Sequence, residues 1–158
     1  MNTNQISTKI FKARSLYAKN LTSHEDENFK VVQIIELEDG TVMFDIRETI
    51  KGKFLPNGVT LYIPEFIWFK KAISNPEINI QLEHNTRLIK VNKAIDSISI
   101  TLRKTNGKMK TLNFSSTESK NIIDSMQIIE ENLIALTEGT NIALDFAEVS
   151  YCKESLIM

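Results

Sequence analysis

Twice in this chain, a strand that alternates apolar and polar residues runs into a turn, a second strand and a helix with a marked start. From Val42 to Arg47, Val42, Phe44 and Ile46 fall on one side of an extended chain, and Met43, Asp45 and Arg47 on the other. From Ile98 to Arg103 the period of two returns, with Ile98, Ile100 and Leu102 set against Ser99, Thr101 and Arg103. Such a period buries one face and leaves the other for solvent or ligand. After the first strand, Lys51-Gly52-Lys53 and Pro56-Asn57-Gly58 supply turn residues, and Val59–Ile63 is rich in β-branched residues. Pro64 suits the first turn of a helix, where its missing N–H costs nothing. Phe66, Phe69 and Ile73, with Trp68 and Ala72, give that helix an apolar face, and Asn75-Pro76 ends it. After the second strand, Asn106-Gly107 signals a hairpin, and a short strand spans Met109–Phe114. Ser115 and Glu118 form a capping box. The helix they open carries Ile122, Ile123, Met126, Ile129, Leu133 and Leu136, and stops before Gly139.

The order of elements is the same in both halves, and Arg47 and Arg103 lie 56 positions apart. The pattern predicts an α+β fold: two repeats of a curved antiparallel sheet, each backed by an α-helix. The repeats are expected at residues 29–78 and 79–139, joined through Asn75–Asn85, with an N-terminal element at 1–28 and a C-terminal strand or tail at 140–158. One small sheet with one helix leaves apolar surface uncovered. The two helices, Pro64–Ser74 and Thr117–Glu138, should therefore pack together as an intrachain pseudo-dimer, with Phe69 and Ile73 meeting Met126, Ile129 and Leu133.

The stretch Gly40-Thr41-Val42-Met43-Phe44-Asp45-Ile46-Arg47-Glu48, the basic turn, Gly58-Val59-Thr60-Leu61 and Pro64-Glu65 together resemble the signature of the positive-cofactor-four family of transcriptional coactivators. That family grips single-stranded nucleic acid. The layout of two sheet-plus-helix repeats in one chain is also similar to that of the plant Whirly proteins, without their motif residues. The resemblance implies single-strand binding through basic and aromatic side chains on sheet and hairpins, with Arg47 as the motif arginine and Lys51 and Lys53 as the basic hairpin. The first repeat departs from the family pattern. Glu36, Glu38 and Asp39 stand where basic or aromatic residues are usual, Thr41 replaces a lysine, and Ile50 replaces an aromatic.

Charge points to the second repeat. The net charge is −1, so any polyanion must be held by a patch. Between Thr86 and Lys110 lie Arg87, Lys90, Lys93, Arg103, Lys104, Lys108 and Lys110, opposed only by Asp96. Lys30–Glu48, by contrast, is acidic. The nucleic-acid-binding set expected from sequence is therefore Arg47, Lys51, Lys53, Arg87, Lys90, Lys93, Arg103, Lys104, Lys108 and Lys110. Phe11 and Tyr17, interleaved with bases in Lys9–Tyr17, are candidates for stacking. Trp68 reads as core.

Neither His24 nor His84 has a partner at ligand spacing, and both read as loop residues. No P-loop, dinucleotide fingerprint or nucleophile elbow is present. The expectation is a chain that is not an enzyme and needs no cofactor or metal. Its partner would be single-stranded DNA, ahead of RNA, in replication, recombination or transcription. A replication or transcription protein partner, and further association of pseudo-dimers, belong to the same expectation. The rival is a protein-interaction or transcription-regulatory module that kept the fold and lost the ligand. No apolar run is long enough to span a membrane, the N-terminus lacks a signal-peptide core, and the single Cys152 suits a reducing compartment. An intracellular setting, nucleus or cytoplasm, is expected. The Ile, Asn and Lys content fits an A/T-rich genome such as that of a virus, a phage or a low-GC bacterium.

Overall fold

The fold was taken from a computed structural model that describes residues 5–7, 11–22, 28–51, 53–136 and 153–156. It is α+β, built as two repeats. β1 (Gln5–Ser7), β2 (Phe11–Asn20), β3 (Asn28–Leu37), β4 (Val42–Ile50) and β5 (Lys53–Tyr62) form one antiparallel sheet in that order, followed by α1 (Ile63–Ser74). β6 (Asn79–His84), β7 (Arg87–Lys93), β8 (Ile98–Arg103) and β9 (Met109–Phe114) form the second, followed by α2 (Ser116–Leu136), and β10 (Lys153–Leu156) pairs with the outer edge of β6. Each sheet is thus a four-strand meander with a short fifth strand on its first edge. The segment expected as a separate N-terminal element contains β2, the counterpart of β6, so the first repeat begins before residue 28. Expectations for Gly139 and for residues 140–152 lie outside the described residues.

Both helix starts follow from local chemistry. The Ser115 N–H donates to Glu118 Oε1 at 2.9 Å and the Glu118 N–H to Ser115 Oγ at 3.2 Å, closing the capping box read from the sequence. At α1 the Tyr62 N–H donates to Glu65 Oε1 at 2.9 Å. Both glutamates also reach the other repeat. Glu65 receives Arg87 of β7 at 2.8 Å, and Glu118 receives the Lys30 amine of β3 at 2.9 Å. Lys30 and Arg87 are equivalent positions. Each precedes the residue that faces a repeat arginine, Val31 opposite Arg47 and Leu88 opposite Arg103. The two helices therefore exchange capping-glutamate contacts across a pseudo-twofold relation, and α1 packs on β7 while α2 packs on β3.

A single core results. It holds Val32, Ile34, Phe44, Ile46, Val59 and Leu61 of the first sheet, Ile89, Val91, Ile100 and Leu112 of the second, and both helices' apolar faces. Phe69, Ile73, Met126, Ile129 and Leu133 all belong to it, as does Trp68, 1% exposed. The first sheet departs from plain alternation: Val31 to Ile35 is buried without a break. This sheet curls until β1 comes close to β5, so its second face closes around Ala13, Ile35 and Met43. Among the described residues no helix is long and apolar enough to cross a membrane.

One core shared by both repeats should unfold as one unit. Truncating Ile129 or Phe69 to Ala should each cost about 2–5 kcal/mol, seen as a single denaturant transition whichever repeat carries the probe. Residues 1–78 alone should be unfolded or self-associated; a well-folded monomeric fragment would show two independent domains.

Candidate nucleic-acid interface

Arg47 is a building element of the fold. It is 3% exposed, and its guanidinium binds both Asp45 oxygens, from Nη2 to Oδ1 at 2.9 Å and from Nε to Oδ2 at 3.2 Å. Nη1 donates to the Leu55 and Pro56 carbonyls, each at 3.1 Å. The cause is a bulge. Arg47 faces Gly58 and Thr49 faces Phe54, so Glu48 alone opposes residues 55–57. Pro56-Asn57, expected as a turn, is this bulge within β5, and Asn57 Nδ2 donates to Glu48 Oε1 at 2.7 Å. Gly58 is required because a Cβ there would sit 2.7 Å from Arg47 Cζ and 2.8 Å from the Ile46 carbonyl oxygen. Asp45-Ile46-Arg47 with the later Gly58 is, in this chain, a device for filling a bulge. Arg47, expected from the sequence in the nucleic-acid-binding set, is buried in this role.

Arg87 and Lys93, half-buried, are also engaged by the fold. Arg87 holds Glu65 through Nε at 2.8 Å and Nη2 at 2.9 Å, donates to the Thr60 carbonyl at 2.7 Å, and lies 4.9 Å from the centroid of the Tyr62 ring. His84, expected in a loop, ends β6, is 7% exposed and places Nδ1 2.8 Å from Glu65 Oε2. The real turn is Asn85-Thr86, both with positive φ, between paired His84 and Arg87. Lys93 donates to the Ala72 and Asn75 carbonyls at the end of α1. Burial pulls its pKa below the ordinary lysine value, and Glu77 opposes this.

The other cations stay at the surface. Lys51, in the β4–β5 turn with φ 51°, and Lys53 are exposed. Arg103 and Lys108 are exposed, while Lys90, Lys104 and Lys110 are half-buried. The β8–β9 connection is a three-residue loop, longer than Asn106-Gly107 alone suggests. The Lys104 N–H donates to the Lys108 carbonyl and the Gly107 N–H to the Lys104 carbonyl, each at 2.8 Å, with Gly107 at φ 87°. This loop gathers charge. The Lys104 pKa lies below the ordinary lysine value, first because of burial and then because of Lys110, Arg87, Arg47 and Lys108 in turn. Lys110 Nζ donates to the Pro56 carbonyl at 3.1 Å, which places the cluster on the seam where β9 runs beside β5.

The outer face of the second sheet adjoins this cluster. Register puts Gln81, Lys90, Thr101 and Thr111 in one row, and Glu83, Leu88, Arg103 and Met109 in the next. Thr101 and Thr111 share a hydrogen bond of 3.0 Å, and Met109 is 61% exposed. The matching face of the first sheet is closed, with Asp45 and Gln33 at 0% exposure joined by a 2.8 Å hydrogen bond. Glu36 is tied to Arg14 at 2.7 Å. Tyr17 is half-buried against the main core, and the Phe11 side chain lies outside the described residues. Tyr62, which the sequence analysis did not single out, is 39% exposed beneath Arg87.

No protein-family model matches the chain, and no curated protein does. Among solved structures it is similar to that of MRP1/MRP2 from Trypanosoma brucei, at 10% identity and a TM-score of 0.41, over 82% of this chain and 88% of that one.

The Lys104 environment has a thermodynamic consequence. Its pKa is lower folded than unfolded, so its charge costs stability at neutral pH, and the cost fades as pH rises through the lowered pKa to the ordinary 10.5. Lys104→Met should therefore raise Tm modestly at pH 7, and the gain over the parent chain should shrink above pH 10.5. A gain that persists unchanged at high pH would point to packing instead of charge.

Proposed function

We propose that this chain binds single-stranded nucleic acid, DNA ahead of RNA, largely without regard to sequence. The site is the end of the second sheet, with Lys104, Lys108 and Lys110 at the seam and Arg103 and Lys90 on the outer face. The observation that carries this reading is the seam itself: Lys104 and Lys108 are joined across the β8–β9 loop, Lys110 Nζ reaches the Pro56 carbonyl, and among the described residues no carboxylate binds any of the three amines. A fold gains nothing from such crowding in isolation. A polyanion removes the repulsion and releases its own counterions. Beside the cluster, the outer face of the second sheet, with Thr101, Thr111, Leu88 and Met109, offers hydrogen bonds and apolar contact. Tyr62 is the ring best placed to meet a base near the seam. The role belongs where strands lie open, in replication, recombination or transcription.

Oligo-dT should bind at least tenfold more tightly than a duplex of equal length, and its affinity should fall steeply with salt. Replacing Arg103, Lys104, Lys108 and Lys110 by Ala should remove most of the affinity, each lost phosphate contact lowering the salt slope by about one unit. Replacing Glu36 and Glu38 by Ala should leave binding unchanged. Equal binding of duplex and single strand would reject the reading, and no binding at low salt would favour a protein-interaction module.

A further inference from the structure

The two repeats place opposite charges at one equivalent position. In the first, Lys30 lies across the strand pair from Glu48, and its amine is taken up by Glu118. In the second, Arg87 is the equivalent of Lys30 and is taken up by Glu65. The residue that continues the pairing after Leu88–Arg103, in the place of Glu48, is Lys104. One end of the pseudo-dimer is therefore neutralised within the chain and the other is not. Arg47 and Arg87, beneath the lysines, already have Asp45 and Glu65 as partners. Among the described residues the Lys104 and Lys108 amines have no hydrogen-bond or ion-pair partner, and the Lys110 amine has only the Pro56 carbonyl, which Arg47 also uses. Lys104 and Lys108 thus face each other at the closure of the β8–β9 loop, and Lys110, at the start of β9, reaches the bulge of the first repeat.

We propose that this seam is a seat for one phosphate group, held by Lys104, Lys108 and Lys110 and tying the β8–β9 loop to the bulge at Pro56. The seat deepens the single-strand reading, and rests on it only for the source of the phosphate. A phosphate suits the site better than a carboxylate does. It carries more charge and more acceptor oxygens, enough for three ammonium groups that approach from different directions. Half-burial of Lys104 strengthens each contact, because water screens less there. Proton and phosphate must then bind cooperatively at Lys104, each raising the affinity for the other. The source is either a phosphodiester of the strand or a free or terminal phosphate, since both present the same oxygens.

Side-chain NMR of the ¹⁵N-lysine-labelled full chain tests the seat. Inorganic phosphate and unphosphorylated oligo-dT serve as probes, with chloride at matched ionic strength as control. The Lys104 amine should titrate at higher pH with a probe than with chloride, and Lys104→Gln should weaken that probe at least tenfold while the chain stays folded. A response to both probes marks a seat for any phosphate, and a response to oligo-dT alone marks a phosphodiester seat. If inorganic phosphate moves Lys104 while oligo-dT does not bind, the seat stands and the single-strand reading falls. If oligo-dT binds but Lys104 titrates as in chloride, the strand lies elsewhere and the seat is overturned. Neither probe acting overturns it as well.

Discussion

Each helix of this protein begins with a glutamate whose carboxylate is completed by a cation from the other repeat, and the rest of the structure depends on that exchange. Glu65 is fully buried and accepts from the Tyr62 N–H, Arg87 and His84, so it caps α1 and fastens α1 to β6 and β7 at once. Glu118 does the same for α2 through Ser115 and Lys30. A buried carboxylate is tolerable only with such partners, since removing one leaves an uncompensated charge worth about 3–5 kcal/mol. The pairs add little to net stability against a well-packed apolar alternative; what they fix is the register of one repeat on the other. With that register set, Phe69 and Ile129 share one core and neither sheet is left with an open apolar face.

The same exchange sorts the cations. Lys30, Arg47, Arg87 and Lys93 are consumed by the architecture: two hold capping glutamates, one fills the bulge beside Gly58, and one donates to carbonyls at the end of α1. The lysines of the β8–β9 loop have no such employment. Lys104 stands at the position where the first repeat carries Glu48, so the pseudo-symmetry of the backbone carries a charge asymmetry. The uncompensated cations therefore lie at one end of the pseudo-dimer and not at two equivalent places.

How far the sequence revealed this depended on the range of the interactions. Ser115 and Glu118 are three residues apart, and the helix start they specify was legible to within a residue. The alternation of Val42–Arg47 and Ile98–Arg103 placed β4 and β8, because one face of each meets the core. β2 and the unbroken burial of β3 were not legible, since they follow from the curl of the whole first sheet. Pro56-Asn57-Gly58 reads as a turn and folds as a bulge, because the Arg47 side chain supplies the hydrogen bonds a turn would have closed. The cluster at Arg103–Lys110 was visible as a run of charge. Which cations remained free was not, for Arg87 finds its partners 22 and 27 residues away and His84 finds Glu65 at 19. For Arg47 a signal did exist: Asp45 lies two residues earlier on the same strand face.

The most direct test is a map of backbone amide shifts across the ¹⁵N-labelled chain as oligo-dT is added at low salt. The account predicts changes concentrated at Arg103–Lys110, extending to Lys90 and to Asn57 beside the Pro56 bulge, with Glu36–Asp39 unmoved. Changes centred on the first sheet, or spread equally over both hairpins, would contradict it.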